Sequence, residues 1–316
     1  MTKIAILFPG QGSQFLGMGR EFIDTDSACA DIMSMAASVC DFPLETLCQD
    51  GPMEELTRAI HLQPAITVTN LICYQGLKKA FGDSLSATCF AGHSLGEYSA
   101  LCAAGVLSVE DTIRLVIKRG ALMEREGQKN PGGMRAVIGK TIEEVEAIIA
   151  ECGDAGVVTA ANHNTAMQIV ISGSVAGLDA VSEKATEAGA RVIPLAVSVA
   201  NHSPLVADAV PDFSAFMDGV QFKTPSTPVY FNVSAKTEED TNTIKEMMAS
   251  QIASRVRWFE IISSMIDEGV DTFIEVGPKT VLKGMMRKIA PKGYKYNALQ
   301  FDTPEGLAKC MDKLSA

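Results

Sequence analysis

Short apolar runs alternate with longer amphipathic stretches along this chain. Runs 3–8 (KIAILF) and 87–93 (ATCFAGH) predict buried strands, and each leads into a glycine-rich turn. Residues 271–277 and 294–300 predict two further strands with a helical stretch between them, and residues 100–107 (ALCAAGVL) predict another helix. Strands that alternate with helices indicate an α/β fold with a mainly parallel sheet.

The region 134–198 departs from this alternation. Its pattern predicts a strand, a helix, two strands, a helix and a strand, which is the β-α-β-β-α-β order of ferredoxin-like folds. We therefore predict a small ferredoxin-like subdomain at 131–198, inserted into a larger subdomain made of residues 1–130 and 199–316.

Composition narrows the possible classes of function. The chain has 316 residues, 47% of them hydrophobic, and can bury a large core. Its net charge of −11 argues against a general nucleic-acid binder, and no apolar run approaches membrane-spanning length. No signal segment opens the sequence, and the eight cysteines include no C-x-x-C pair. We expect a cytoplasmic monomer with reduced thiols, no metal site and neither a nucleic-acid nor a membrane partner.

Residues 91–98 (AGHSLGEY) hold a serine in the pattern G-x-S-x-G, after a predicted strand and before a predicted helix. This is the context of a nucleophile elbow, in which a sharp turn exposes the serine hydroxyl. Ser94 is then a candidate nucleophile, and the N–H of Leu95 is placed to stabilise an oxyanion. A glycine-flanked turn without chemistry is the alternative. The loop 8–14 (FPGQGSQ) lacks G-x-G-x-x-G spacing, and we expect it to bring further backbone N–H groups to this site.

A serine nucleophile needs a base, and the chain has four histidines. His202 is the best candidate, because it lies where the chain returns from the small to the large subdomain and clefts are common at such junctions. A purely structural histidine remains the alternative. Asp208 and Asp212 are close in sequence, but nothing marks either as a third catalytic member.

Arg119 lies in a predicted helix whose other charges cluster on one side. It falls on the flank with Leu115, Val116 and Met123, away from the solvated face. An arginine in that position needs a buried anionic partner. That partner is a ligand; the alternatives are an internal salt bridge and a side chain that snorkels to the surface.

Six motifs together carry a family resemblance. They are FPGQGSQ, GHSLGEYSAL, the arginine of KRGALM, the segment VSVANH, the glutamine of SQIASRVRW, and EVGP. In this order and spacing the chain resembles the bacterial malonyl-CoA:acyl-carrier-protein transacylases over essentially its whole length. The resemblance implies an α/β-hydrolase-like large subdomain with a ferredoxin-like insert. It also implies ping-pong transfer of malonyl from malonyl-CoA to the phosphopantetheine thiol of acyl carrier protein, with no cofactor.

The resemblance also implies a role for each matching residue. Ser94 matches the nucleophile, His202 the base, and Gln251 the residue that orients the histidine in place of an acid. Arg119 matches the partner of the malonyl carboxylate. The oxyanion-hole N–H groups are those of Gln11 and Leu95.

Three positions depart from the family pattern. Asn201, which precedes the histidine and lies near the acyl pocket, is commonly serine or phenylalanine in relatives. Arg135 occupies a usual alanine position, and Lys279 replaces a frequent glycine. The first of these leaves the strictness of malonyl selection open.

An acidic carrier protein needs a local basic surface on an acidic enzyme. Lys279, Lys283 and Arg287 recur at four-residue spacing on a predicted helix, and we expect them to form the docking surface. A solvated helix face without a partner is the alternative.

Three other functions remain open. A free-standing acyltransferase of a polyketide synthase would carry the same motifs. A serine hydrolase would need only the elbow, and the predicted arginine and missing acid argue against it. A non-catalytic carrier-protein scaffold would not need the serine, histidine and glutamine together.

Overall fold

The computed structural model describes residues 2–82 and 86–315. The strands in this part of the chain are β1 (Ile4–Phe8), β2 (Ala87–Gly92), β3 (Gly132–Ile138), β4 (Val158–Thr165), β5 (Gln168–Ser174), β6 (Arg191–Pro194), β7 (Val229–Tyr230), β8 (Thr272–Val276) and β9 (Asn297–Phe301). The α-helices are α1 (Arg20–Thr25), α2 (Ser27–Val39), α3 (Leu44–Asp50), α4 (Met53–Thr57), α5 (Ala59–Phe81), α6 (Gly96–Ala103), α7 (Val109–Lys129), α8 (Ile142–Glu151), α9 (Val175–Glu187), α10 (Ala209–Asp218), α11 (Thr241–Ser250), α12 (Trp258–Asp267), α13 (Val281–Ile289) and α14 (Pro304–Ser315). None of the described helices is long and apolar enough to cross a membrane.

The larger sheet is parallel, with the strand order β7-β2-β1-β8-β9. Ile6 and Phe8 of the central strand pack on one face, whereas Ala5 and Leu7 pack on the other. Because both faces are covered, the strand is apolar throughout instead of alternating with polar residues.

The neighbouring strands β1 and β2 bring the two motif loops together. Phe8 pairs with Gly92 at the carboxyl ends of these strands, and the N–H of His93 donates to the carbonyl of Phe8 at 3.1 Å. The loops that follow the two strands therefore leave the sheet side by side, at the edge where open α/β sheets bind ligands.

The smaller sheet is antiparallel, with the order β4-β5-β3-β6. Together with α8 and α9 this is the ferredoxin-like arrangement, and the predicted fold class is confirmed. The exact boundaries at 131 and 198 stay a prediction. Arg135 of β3 holds α9 against the sheet, since its guanidinium donates to the Leu178 carbonyl at 3.1 Å and the Ser182 hydroxyl at 2.8 Å and pairs with Asp179.

The helix predicted at 100–107 is wrong beyond Ala103, where α6 ends. Gly105 takes the left-handed conformation, with φ of 75°, which breaks the helix and turns the chain back into the core. The next helix, α7, begins after Ser108, whose hydroxyl caps it by accepting the N–H of Asp111 at 3.0 Å.

Candidate active site

Ser94 lies on a tight turn between β2 and α6. Its φ of 49° is in the left-handed region, which costs a non-glycine residue about 1–3 kcal/mol and persists only where the surroundings enforce it. A Cβ at Gly92 would lie 1.9 Å from the carbonyl carbon of Gly96, and one at Gly96 would lie 2.1 Å from the carbonyl oxygen of Phe8. Only glycine fits at either position, so G-x-S-x-G is a steric requirement of this turn.

His202 lies next to this serine. The Ser94 Oγ and His202 Nε2 atoms are 2.8 Å apart, and the imidazole is buried. His202 Nδ1 lies 3.0 Å from the main-chain carbonyl oxygens of both Gln251 and Ser254. Since carbonyls only accept hydrogen bonds, Nδ1 carries the proton and Nε2 is free to accept the serine proton.

Burial sets the charge of this histidine. Loss of solvation, reinforced by the charge of nearby Arg119, lowers the pKa of His202 to about 3. The ring is therefore neutral at physiological pH, as a general base must be.

Arg119 projects from α7 into the same site and is 1% exposed. Its guanidinium donates to Gln63 Oε1 at 2.9 Å, and to Ser94 Oγ and Gln251 Oε1 at 3.1 Å each. These acceptors are uncharged, its Nε has no partner, and no carboxylate of the described residues lies within ion-pair distance. The sequence-based prediction that Arg119 avoids the solvated face is confirmed. A buried cation in this state favours binding of an anion.

A cavity of about 150 Å³ opens beside the Ser94 hydroxyl. Gln11 and Leu95 line it, and within the described chain neither main-chain N–H donates to an acceptor. Asn201 also lines it, 6% exposed and with its Oδ1 unpartnered. A second cavity of about 560 Å³ shares Gln11, Val197 and Asn201 with the first and leads to the surface between α7 and the small subdomain.

Comparison with known proteins identifies the family. The model of the acyl transferase domain family matches residues 6–296. This chain belongs to the acyl transferase domain family. The malonyl CoA-acyl carrier protein transacylase of Bacillus subtilis is 40% identical over 291 residues, which are 92% of this chain and 91% of that protein.

Solved structures agree with this assignment. The malonyl CoA-acyl carrier protein transacylase of Coxiella burnetii has a TM-score of 0.94 at 32% identity, with 100% of this chain and 98% of that chain covered. A malonyl-transacylase in complex with its type II polyketide synthase acyl-carrier protein has a TM-score of 0.93 at 32% identity, with 99% and 100% covered. The resemblance read from the six motifs is confirmed, and the chain is an acyltransferase.

Gln251 contacts His202 of this acyltransferase through the main chain of Gln251. The main-chain carbonyl, not the side-chain amide, accepts from His202. The amide nitrogen instead donates to the Ser94 carbonyl at 2.9 Å and to the Glu97 carboxylate. Asp212, considered as an acid partner, is engaged elsewhere in an ion pair with Arg125.

The other three histidines have partners away from the serine hydroxyl. His93 Nε2 lies 2.8 Å from Asn164 Oδ1, His163 Nδ1 lies 3.2 Å from Glu260, and His61 Nδ1 lies 2.9 Å from the Glu55 carbonyl. His93 also lines the cavity beside Ser94, together with its partner Asn164.

Of the basic residues predicted for docking, one lies beside the Gln11 loop and two lie on α13. Lys279 and Arg287 are exposed and Lys283 is half-buried, on or just before α13. The other side of this helix contributes Val281, Leu282 and Met285 to the cavity beside Ser94. Lys279 Nζ also lies 3.3 Å from the carbonyl of Gly12, next to the Gln11 loop.

Sequence reasoning missed three buried polar residues around the serine: Gln63, Glu97 and Asn232. A signal existed for Glu97, because a charged residue stands inside the otherwise apolar or small stretch of α6. Asn232 gives no such signal, since it follows a two-residue strand far from the motif. Among the described residues, no group of three or more His, Cys, Asp or Glu side chains is arranged to hold a metal ion.

Proposed function

We propose that this acyltransferase transfers a malonyl group from malonyl-CoA to the phosphopantetheine thiol of an acyl carrier protein, through an ester on Ser94. The observation that carries the proposal is the Ser94 hydroxyl lying between His202 Nε2 at 2.8 Å and the buried Arg119 guanidinium at 3.1 Å. The family and the names of its relatives support the same reaction.

In the first half-reaction His202 Nε2 takes the Ser94 proton as Oγ attacks the thioester carbonyl. The oxyanion that forms accepts from the N–H groups of Gln11 and Leu95, and losing one such donor typically costs about 3 kcal/mol. The C–S bond then breaks, and the proton on His202 goes to the coenzyme A thiolate. Malonyl remains on Ser94 as an ester.

The second half-reaction reverses these steps with a different thiol. His202 accepts the proton of the phosphopantetheine thiol, and the sulfur attacks the ester carbonyl. The C–O bond breaks, Ser94 recovers its proton from His202, and malonyl leaves on the carrier protein. Coenzyme A and phosphopantetheine are substrates here, so the proposed cycle uses no cofactor.

Arg119 accounts for the choice of malonyl. A malonyl ester carries its carboxylate two bonds beyond the carbonyl carbon, within reach of a guanidinium that already touches Ser94 Oγ. The planar fork of arginine donors matches a carboxylate in two-point geometry, whereas acetyl offers nothing to pair with. Asn201, at the junction of the two cavities, borders both the acyl group and the path by which a pantetheine arm reaches the serine.

The test is intact mass after brief mixing with malonyl-CoA, for the wild type and Ser94→Ala, with acetyl-CoA in parallel. We expect a malonyl adduct on the wild type alone, weak acetyl labelling, and discharge by holo acyl carrier protein. An adduct on Ser94→Ala would overturn the assigned nucleophile. Release of free malonate at the same rate without a thiol acceptor would instead support the serine hydrolase.

A free-standing acyltransferase of a polyketide synthase remains the second candidate, because one relative was solved with such a carrier protein. The chemistry at Ser94 would be the same. Competition between a fatty-acid and a polyketide carrier protein for the malonyl-enzyme separates the two, and we expect faster discharge by the fatty-acid carrier.

A further inference from the structure

A buried polar network lies behind the nucleophile, on the side away from the cavity. Asn232 is 0% exposed and Glu97 is 1% exposed, and neither lines the cavity beside Ser94. Neither side chain touches the Ser94 hydroxyl or the His202 ring. Both contact the groups that hold those two in place.

Asn232 bridges the two sides of the serine turn. Its Oδ1 accepts the main-chain N–H of Ser94 at 2.7 Å, and its Nδ2 donates to the carbonyl of Gly92 at 2.8 Å. The opposite amide orientation would set oxygen against oxygen and donor against donor, so these partners fix the orientation. One side chain thus holds the backbone at the residue whose φ is strained.

Glu97 connects this bridge to the glutamine. Its Oε1 accepts the main-chain N–H of Asn232 at 2.7 Å, and its other oxygen accepts from the Gln251 amide. The same amide nitrogen donates to the Ser94 carbonyl at 2.9 Å, and the amide oxygen accepts from Arg119 at 3.1 Å. Both Glu97 oxygens face N–H donors, which oppose the effect of burial that raises the pKa of this carboxyl to about 8. A glutamine amide could not accept from both donors, because its nitrogen is itself a donor.

The network therefore reaches Ser94, Gln251 and Arg119. Gln251, whose side chain Glu97 holds, offers the main-chain carbonyl that accepts from His202 Nδ1. We propose that Glu97 and Asn232 are positioning residues, which hold the Ser94 backbone and Gln251 so that the serine, the Leu95 N–H and the histidine stay in register. The identity of the acyl group on Ser94 rests on the proposed function, whereas the positioning role of Glu97 and Asn232 does not.

The test is Glu97→Gln, which keeps the size of the side chain but turns one acceptor into a donor facing a donor. The matched control is Glu126→Gln on α7. Glu126 is also fully buried, but its partners are the surface residues Arg125 and Lys129. For each variant we would measure thermal unfolding, the malonyl-CoA dependence of single-turnover Ser94 acylation, and the rate of Ser94 labelling by a small fluorophosphonate.

We expect Glu97→Gln to lower the maximal acylation rate and the fluorophosphonate rate by about tenfold or more. The malonyl-CoA concentration for half-maximal rate should change less than about threefold, because the cavity and Arg119 remain. Glu126→Gln should keep wild-type rates even if it lowers thermal stability as much as Glu97→Gln does. Wild-type rates in Glu97→Gln, or equal losses in both variants, would overturn the proposal.

A second variant covers the case in which Glu97→Gln does not fold. Asn232→Asp keeps the acceptor for the Ser94 N–H but sets an oxygen against the Gly92 carbonyl, and should give the same kinetic pattern. Wild-type rates in this variant would also overturn the proposal. If the wild type forms no malonyl adduct while fluorophosphonate labelling still falls in the variants, the proposed function fails and the positioning role stands.

Discussion

Arg119, which lines the cavity beside Ser94, and the basic side chains on and just before α13 have opposite surroundings. Arg119 is buried and bonded to three neutral acceptors, whereas Lys279 and Arg287 are exposed. Exposed charges are screened beyond about 8 Å at physiological salt, whereas a buried charge is screened much less. The same sign of charge can therefore select an acyl group in one place and attract an acidic carrier protein in the other.

The largest expected effect is at the buried cation. Arg119→Lys keeps the charge but loses the fork, so we expect malonyl acylation of Ser94 to fall by about 10–100-fold, because charge-assisted hydrogen bonds contribute about 1.5–3 kcal/mol. Acylation by acetyl-CoA should change little, so the ratio of the malonyl rate to the acetyl rate should fall as far as the malonyl rate does. Rates from both thioesters at saturation check this.

The matched control is Arg114→Lys on the same helix. Arg114 is exposed and pairs with Glu110 at 2.6 Å, so its replacement should leave both rates and their ratio unchanged. A retained malonyl preference in Arg119→Lys would remove this residue as the selector.

A smaller effect is expected at the two cations of α13, the half-buried Lys283 and the exposed Arg287. The double reversal Lys283→Glu with Arg287→Glu should raise the KM for carrier protein about fivefold, since exposed pairs contribute at most about 1 kcal/mol each. Acylation by malonyl-CoA should not change, and the effect should shrink as salt is added. Steady-state transfer at low and high salt measures both.

Lys309→Glu with Lys313→Glu on α14 is the control, because it makes the same change in net charge on another exposed helix. An equal rise in KM for that control would mean that overall charge, not the α13 surface, governs docking.

The smallest effect should come from pH. The neutral fraction of an exposed histidine would fall about tenfold between pH 7.5 and pH 5.5. With the pKa of His202 lowered to about 3, single-turnover acylation should change less than about twofold over that range. An acid limb centred near pH 6.5 would mean that His202 titrates like a solvated ring.

The same shift has a consequence for stability. At pH values above about 6.5, the pKa of histidine in the unfolded chain, the neutral and buried His202 makes its full contribution to the free energy of unfolding. That contribution decreases as the pH falls toward the folded-state pKa of about 3. Denaturant unfolding at pH 7.5 and 5 should show a larger loss of stability in the wild type than in His202→Gln. The variant is needed because burial raises the pKa of Glu97 to about 8 and that of Glu275 to about 7, and these groups titrate in the same range with the opposite sign.

Local patterns were enough for much of this molecule. The motif alone predicts the elbow at Ser94, although only part of its steric cause is local: a Cβ at Gly92 would meet Gly96 within the motif, whereas a Cβ at Gly96 would meet Phe8 on the neighbouring strand. The helical position of Arg119 likewise predicts its burial, because helix periodicity is a local property. The helix end at Ala103 was missed, since a glycine in an apolar stretch does not show which way the chain turns next.

The contacts between distant segments were not predictable in this way. The sequence by itself determined the α/β class, the ferredoxin-like order, the elbow and the family. Only the tertiary structure decided that the main-chain carbonyl of Gln251, and not its side-chain amide, accepts from His202. Only the tertiary structure decided, too, that Asn232 accepts from the Ser94 main chain and that Glu97 in turn accepts from the Asn232 main chain. The physical reason is that hydrogen bonds between residues 49, 138 and 135 positions apart depend on where the sheets and loops pack, and no local pattern encodes that packing.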